Sequence, residues 1–241
     1  KCFGEKRSSL PTDVNILYIK SAKVFDTTNI KVYTYYGKNK NIKFPDKLTS
    51  ELAEEIGMHV GDGFLSNKRY EYRLKGNKNE REYYDKFIRP LFKRIYNIDI
   101  DLKEYETTYG FELYSKSLWT FKNKVLGIPA GRKNDMVLPE IIRVNNKEIL
   151  TAFIRGVFDT DGSVSFIKKY KTLGNYYPVI SLSLKSKRLI LEIKKILSMF
   201  CLEPRSSFDG DYYRIDLNGY QRLEAYSKLV GWHNPKHLRK V

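Results

Sequence analysis

The sequence predicts an α+β protein of two related halves, each ordered helix, strand, strand, helix, strand, strand, helix. Three observations carry this: a gapless internal repeat ending in Asp-Gly, runs of alternating polarity after each copy, and helical periodicity between those runs. The 241 residues are 41% hydrophobic and 14% aromatic, enough for one sizeable core or two small ones.

The repeat comes first because it fixes the register of everything after it. LAEEIGMHVGDG (52–63) aligns with TAFIRGVFDTDG (151–162), matching Ala53 with Ala152, Gly57 with Gly156, Asp62 with Asp161 and Gly63 with Gly162. Ala53, Gly57 and Gly61 are spaced four apart, as are Ala152, Gly156 and Thr160, so on a helix each trio forms a stripe of small side chains. Glycine inside a helix costs about 0.5–1 kcal/mol relative to alanine, and close approach of two backbones is a reason for its presence. Helices packed stripe to stripe would bring Asp62 and Asp161 out together at adjacent C-terminal ends. Acids are electrostatically misplaced there, beside unpaired carbonyls, unless a cation joins them. A calcium loop does not explain DTDG: with Gly162 at the sixth position, Val157 and Lys168 stand where acids are required.

After each Asp-Gly the polarity alternates, in FLSNKRYEYRLK (64–75), SVSFIKKYK (163–171) and YYPVISLSLK (176–185), which predicts strands. Helical runs follow at 79–96 and 186–200, with Pro90 expected at a kink or boundary. Second strand pairs are expected near 100–114 and 205–217, the latter turning at Phe208-Asp209-Gly210-Asp211. Short closing helices should start near Ser115 and Asn218, and the Asn pair at 145–146 is placed to cap the second motif helix. The expected units are an extension at 1–45, whose two strand-like runs have no assigned role, a first half at 46–145 and a second at 146–241.

Forty-four Lys and Arg against 28 Asp and Glu leave a formal charge of +16, spread along the chain. Such a chain attracts polyanions: nucleic acid leads, an anionic membrane surface follows, and a merely basic protein is the bland alternative. Two cysteines, Cys2 and Cys201, make neither a disulfide framework nor a four-thiolate zinc site and fit a reducing, intracellular compartment. No run approaches the roughly 18 apolar residues of a membrane span, and the polar start lacks the apolar core of a signal peptide. The opening on Lys1 reads as a trimmed or processed start.

On the motifs EIGMHVGDG (55–63) and IRGVFDTDG (154–162), with the strand and helix order around them, the sequence resembles a single-chain LAGLIDADG homing endonuclease from about residue 46 to 241. The resemblance implies two αββαββα halves about a pseudo-twofold axis, with antiparallel sheets forming a saddle over DNA. It implies a monomeric, intracellular, site-specific endonuclease, intron or intein encoded. Such an enzyme hydrolyses both strands of a long asymmetric duplex with Mg²⁺, leaving short 3′ overhangs; Mn²⁺ or Ca²⁺ can substitute in binding.

By the same resemblance Asp62 and Asp161 are the metal-binding carboxylates, helped by the carbonyls of Gly61 and Thr160. Basic residues near the reacting water are Lys133 in IPAGRKNDMVLP and Lys236 in WHNPKHLRK, with His237 beside it. At the strand-to-helix junctions they are Lys185 and its counterpart Lys78, in a stretch that can be slid by one residue. Alternation places Ser66, Lys68, Tyr70 and Tyr72, and Ser163, Ser165, Lys168, Tyr170 and Arg214, on the face expected to touch DNA. Two departures stand out. Asp159 adds an acid two residues before Asp161, and His59, on the first motif helix, reads as a packed histidine. A non-cleaving binder of this fold, either an intron RNA maturase or a DNA-binding regulator, is the competing function. A two-carboxylate glycosidase fits poorly with acids that recur by repeat in a basic chain.

Overall fold

The computed structural model describes Phe25, residues 42–168 and residues 176–241. Tyr170 and the strand-like runs of the extension, Phe25 apart, lie outside the described residues. Phe25 packs edge-on against Phe121, with ring centroids 6.0 Å apart, and its N–H donates to the Asp46 carbonyl.

Each half is one antiparallel sheet with helices on one face. In the first, α1 (Ser50–Gly61) is followed by β1 (Gly63–Ser66), β2 (Glu71–Asn77), α2 (Arg81–Tyr83), α3 (Arg89–Tyr96), β3 (Lys103–Glu104), β4 (Thr108–Tyr114) and α4 (Lys116–Thr120). In the second, α5 (Lys147–Asp161) leads to β5 (Gly162–Lys168), β6 (Tyr176–Leu184), α6 (Lys187–Met199), β7 (Arg205–Phe208), β8 (Tyr213–Asn218), α7 (Tyr220–Leu229) and a short α8 (Pro235–Leu238). The sheet orders are β1-β2-β4-β3 and β5-β6-β8-β7, the same topology twice. Buried apolar side chains of both halves form one continuous core.

The motif helices start where their caps allow. Thr49 Oγ1 accepts the Leu52 N–H (3.2 Å) and Asn146 Oδ1 the Ile149 N–H (3.2 Å). α1 and α5 then pack face to face along the small-residue stripes. A Cβ added to Gly57 would overlap the Phe153 carbonyl oxygen, and one on Gly156 the Glu54 carbonyl oxygen. Glycine is therefore required at both positions by backbone meeting backbone.

Several expectations are corrected. The run 64–75 holds the two strands that the expected order requires, but a 3₁₀ turn at Lys68–Tyr70, with Arg69 and Tyr70 in the left-handed region, resets the alternation between them. Tyr72 therefore points into the core, 1% exposed, where its hydroxyl donates to Glu55 Oε1 (2.8 Å). Glu55 is buried and also accepts from Tyr96 (3.0 Å) and from the buried Lys122 (2.5 Å). The outward residues of β2 are Glu71, Arg73 and Lys75. In β5, Lys168 shares the phase of inward Val164 rather than that of Ser163 and Ser165, and is exposed because the strand's far end runs past the core. The helical run 79–96 begins as a 3₁₀ turn at Lys78–Glu80 and continues in helical backbone through a π turn, Tyr84–Ile88, into α3. Pro90 thus lies directly after the π turn, a local distortion of the kind expected beside a residue with no N–H. Ser115 caps α4 as expected, whereas Asn218 ends β8 and Gly219, at φ +97°, precedes α7.

Candidate active site

Asp62 terminates α1 and Asp161 is the last residue of α5, so the packing of the two helices carries both acids to one end of the seam. A Cβ on Gly61 would lie 3.4 Å from Asp161 Cγ, which shows how closely the helix ends meet. Asp62 is half-buried; its pKa is pushed up to about 7 by desolvation, then by the negative charges of Asp161 and Glu80. Asp161 is reached by solvent at the cleft mouth, but the protein around it also raises its pKa through desolvation, against the lowering pull of Lys133 and Lys236. Two acids that raise each other's cost of ionisation form a site in anionic excess.

Two lysines answer that excess, one at each helix end. Lys133 Nζ donates to the carbonyls of Val60 (3.0 Å) and Gly61, and Lys236 Nζ donates to the Thr160 carbonyl (2.9 Å). They satisfy the orphan carbonyls of α1 and α5 and place positive charge at the negative ends of the helix dipoles. Both lysines lower the pKa of both acids, so the charge of each half acts across the seam. Burial lowers the Lys133 pKa, with Asp161 and Asp62 opposing it. His237, the neighbour of Lys236, is buried 6.0 Å from the Trp232 ring instead of facing the acids.

An open cleft of about 390 Å³ lies beside Asp161, lined by Gly61, Phe64, Lys133, Lys185 and Tyr212 among others. Lys185 thus reaches the site and also lies 5.5 Å from the Tyr212 ring centroid. Lys78 does not: it pairs with Glu104 at 3.2 Å. Strand register explains the miss. Gly63 pairs with Leu74 and Gly162 with Leu182, so the residue corresponding to Lys185 is Asn77.

The junction of the first half contributes Glu80 instead, which sequence reasoning overlooked. Glu80 is buried, accepts the Asn77 N–H (2.8 Å), and faces Lys236 Nζ (2.6 Å) and Asn234 Nδ2 (2.8 Å). The Asn-x-x-Glu spacing was a legible capping signal, but nothing in it marks a link to the other half.

Both acids and the carbonyls beside them are oxygen donors, the set that a hard divalent cation prefers. His59 is buried, stacked 5.5 Å from the Tyr72 ring, and its pKa is well below 6.5, first through burial and then through Lys122 and Lys133. Asp159 is buried beside Glu54 and His233, apart from the cleft.

The sheet faces turned away from the helices are polar. In the second half Ser163, Ser165 and Arg214 lie on this face with Ser181 and Asp216. Arg214 donates to Ser181 Oγ (2.8 Å) and to Asp216 Oδ1 (2.8 Å). In the first half Ser66 lies there with Arg73, which sits 4.2 Å over Phe64, and Lys75, 2.5 Å from Glu112. Lys68 and Tyr70 are exposed on the turn at the sheet's edge.

Paired halves of this topology, with an acid ending each central helix, define a class of two-motif α+β proteins. Residues 148–231 match the LAGLIDADG-like domain model, and the described residues of the two halves have the LAGLIDADG homing-endonuclease fold. The structure of I-DmoI in complex with DNA and Mn aligns at a TM-score of 0.53 and 20% identity, covering 76% of this chain and 96% of that one. I-SmaMI bound to an uncleaved DNA target with calcium ions aligns at 0.52 and 14%, covering 79% and 87%. Among curated proteins, glutamine–fructose-6-phosphate aminotransferase of Methanocaldococcus jannaschii is 29% identical over 211 residues, 83% of this chain and 18% of that protein. The small component of replication factor C from the same organism is 28% identical over 176 residues, 67% and 10%. A component of the A-type ATP synthase of Pyrococcus abyssi is 26% identical over 199 residues, 81% and 18%. The chain spans less than a fifth of the length of these relatives. Among the described residues, no helix is long and apolar enough to cross a membrane.

Proposed function

We propose that the chain is a site-specific DNA endonuclease that hydrolyses one phosphodiester in each strand of a long asymmetric duplex and acts as a monomer. The observation that carries this reading is the meeting of Asp62 and Asp161 at the joined ends of α1 and α5, where Lys133 holds the last carbonyls of α1 and Lys236 that of Thr160 in α5. Asp62 and Asp161, with the carbonyls of Gly61 and Thr160, would hold Mg²⁺, with Mn²⁺ or Ca²⁺ able to take its place in binding. A divalent cation bound there supplies Lewis-acid activation of water and phosphate and charge for the leaving 3′ oxygen.

The chain's own residues do the rest. Lys133 and Lys236, which donate to the carbonyls of Gly61 and Thr160, would yield those oxygens to the ion and keep their charge beside the acids, so that a phosphate can approach two carboxylates. Lys185, in the cleft wall, is placed to contact the scissile phosphate or its neighbour. Arg73, Lys75, Arg214, Ser66, Ser163 and Ser165, on the outer sheet faces, track the duplex as the two arms of a saddle. One strand falls to each half's acid, giving 5′-phosphate and 3′-hydroxyl ends with short 3′ overhangs.

Stretches 26–29% identical to this chain lie within an aminotransferase, a replication factor and an ATP synthase, as 10–18% of each matched protein. Their unlike names support a unit that travels between host genes. Because the matching stretch lies within the translated sequences of those proteins, an intein origin is favoured over an intron.

The test is selection from a randomised duplex library. With Mg²⁺, a single long asymmetric site should be recovered as cut product; without metal, it should be bound and uncut. Binding without cutting in both conditions would instead support the regulator or maturase reading.

A further inference from the structure

A second group of metal-ligating side chains lies away from the paired acids. Glu54 on α1, Asp159 on α5 and His233, between α7 and α8, bring one ligand atom each to within 4.8 Å of one another. Glu54 and Asp159 are buried, while the His233 side chain is 39% exposed and gives an ion a way in.

The cluster is held as a ligand set is held. His233 Nδ1 lies 2.5 Å from Glu54 Oε1, and the His233 backbone N–H donates to Asp159 Oδ2 (2.9 Å). Arg155 grips the other oxygen of Glu54 (3.2 Å) and is itself tied to the Val230 carbonyl (2.6 Å). Phe87 stacks on the His233 ring with centroids 4.1 Å apart and fixes its plane. Outer partners that orient carboxylate and imidazole in this way are what a metal site needs. Against this order, Asp159 Oδ1 is buried, on a residue with no exposed surface, and has no hydrogen-bond partner among the described residues. A carboxylate oxygen stranded in the interior must be met by a proton or a cation, and the imidazole and second carboxylate beside it make a cation site available.

We propose that Glu54, Asp159 and His233 bind a zinc-type divalent ion that clips the two halves together. One imidazole nitrogen and two carboxylates suit Zn²⁺, whereas the all-oxygen Asp62 and Asp161 centre suits Mg²⁺. Glu54 belongs to the first half and the other two ligands to the second, so the ion pins the seam and the segment after α7. That segment also carries Asn234, which donates to Glu80 (2.8 Å) and to the Asp159 carbonyl (2.8 Å), and Lys236. The clip is thereby a positioning device for the lysine beside the paired acids.

Zinc binding to the full chain carrying Asp62→Asn and Asp161→Asn tests the proposal, read by equilibrium dialysis and by thermal unfolding in excess Mg²⁺. One equivalent of zinc should bind and raise Tm. Adding His233→Ala, or Asp159→Asn, which keeps the shape and the acceptor for the His233 N–H, should weaken zinc binding at least about tenfold and remove the Tm rise. A background variant that binds no zinc, zinc displaced by Mg²⁺, or unchanged affinity in either added variant would overturn it.

Discussion

Lys236 of the second half lies 2.6 Å from Glu80 of the first, so the two halves are joined by an ion pair at the floor of the paired-acid centre. Glu80 also raises the pKa of Asp62 and Asp161, and this cost is offset by the position it gives Lys236. Glu80→Gln keeps a side chain that can accept from Asn234 and removes the charge that holds the lysine. Cleavage should fall on the order of tenfold, the scale seen for outer partners of a metal centre, with DNA affinity nearly unchanged. Single-turnover cleavage beside an equilibrium binding curve separates the two effects.

Gly156→Ala reverses the usual sign of a helix substitution. In an open helix the change stabilises by about 1 kcal/mol. Here the new methyl meets the Glu54 carbonyl, and neither backbone can give way. A loss of about 3 kcal/mol is expected, the upper range for overpacking, or roughly 6 °C or more in Tm for a chain of this size. Thermal unfolding of Gly156→Ala, with a Gly127→Ala control that meets nothing within 4 Å but strains a positive φ, reports whether the clash dominates.

Tyr72 and Arg73 are neighbours with opposite duties. Tyr72→Phe should leave DNA affinity within about twofold and cost about 1–3 kcal/mol of stability, since it removes a hydrogen bond to the buried Glu55 carboxylate. Arg73→Ala should do the reverse: little change in stability, about tenfold weaker binding and a shallower salt dependence. Fluorescence anisotropy at several salt concentrations, paired with urea unfolding, checks both.

His237 sets a pH dependence. Burial, then the charges of Lys236 and Lys240, lower its pKa from 6.5 to about 3, so the folded chain keeps it neutral. Between those values the unfolded chain binds the proton and the folded chain does not. Its contribution is therefore fully present above pH 6.5 and is lost as pH falls toward 3, with stability on the order of a few kcal/mol at stake at roughly 1.4 kcal/mol per pKa unit. His237→Gln should flatten the stability profile between pH 4 and 6.5 relative to the parent, measured by urea unfolding at each pH. Parallel profiles would contradict the assignment.

The repeat made the seam legible, because a stripe of small residues ending in an acid has one economical packing and it occurs twice. Lys133, Lys185 and Lys236 were also reachable, through resemblance in the loops and junctions around the motifs. Tyr72 was not, since its phase depends on a left-handed turn at Arg69 and Tyr70 that no glycine announces. Lys78 failed for a related reason: the strand register sets its counterpart one residue earlier, at Asn77. Glu80 and His233 could not be read at all as partners of residues in the opposite half, because their meeting is a product of tertiary packing. Asn218 was displaced as a cap by Gly219, whose positive φ suits the sharp exit from β8.

The division of labour between the two acids is tested most directly by Asp161→Asn on a recovered target whose strands carry different end labels, with Mg²⁺ present. The expected result is loss of at least about a hundredfold in cutting of one strand, with DNA affinity largely kept, as removal of a metal-holding carboxylate requires. Both strands cut at the parent rate would contradict the account.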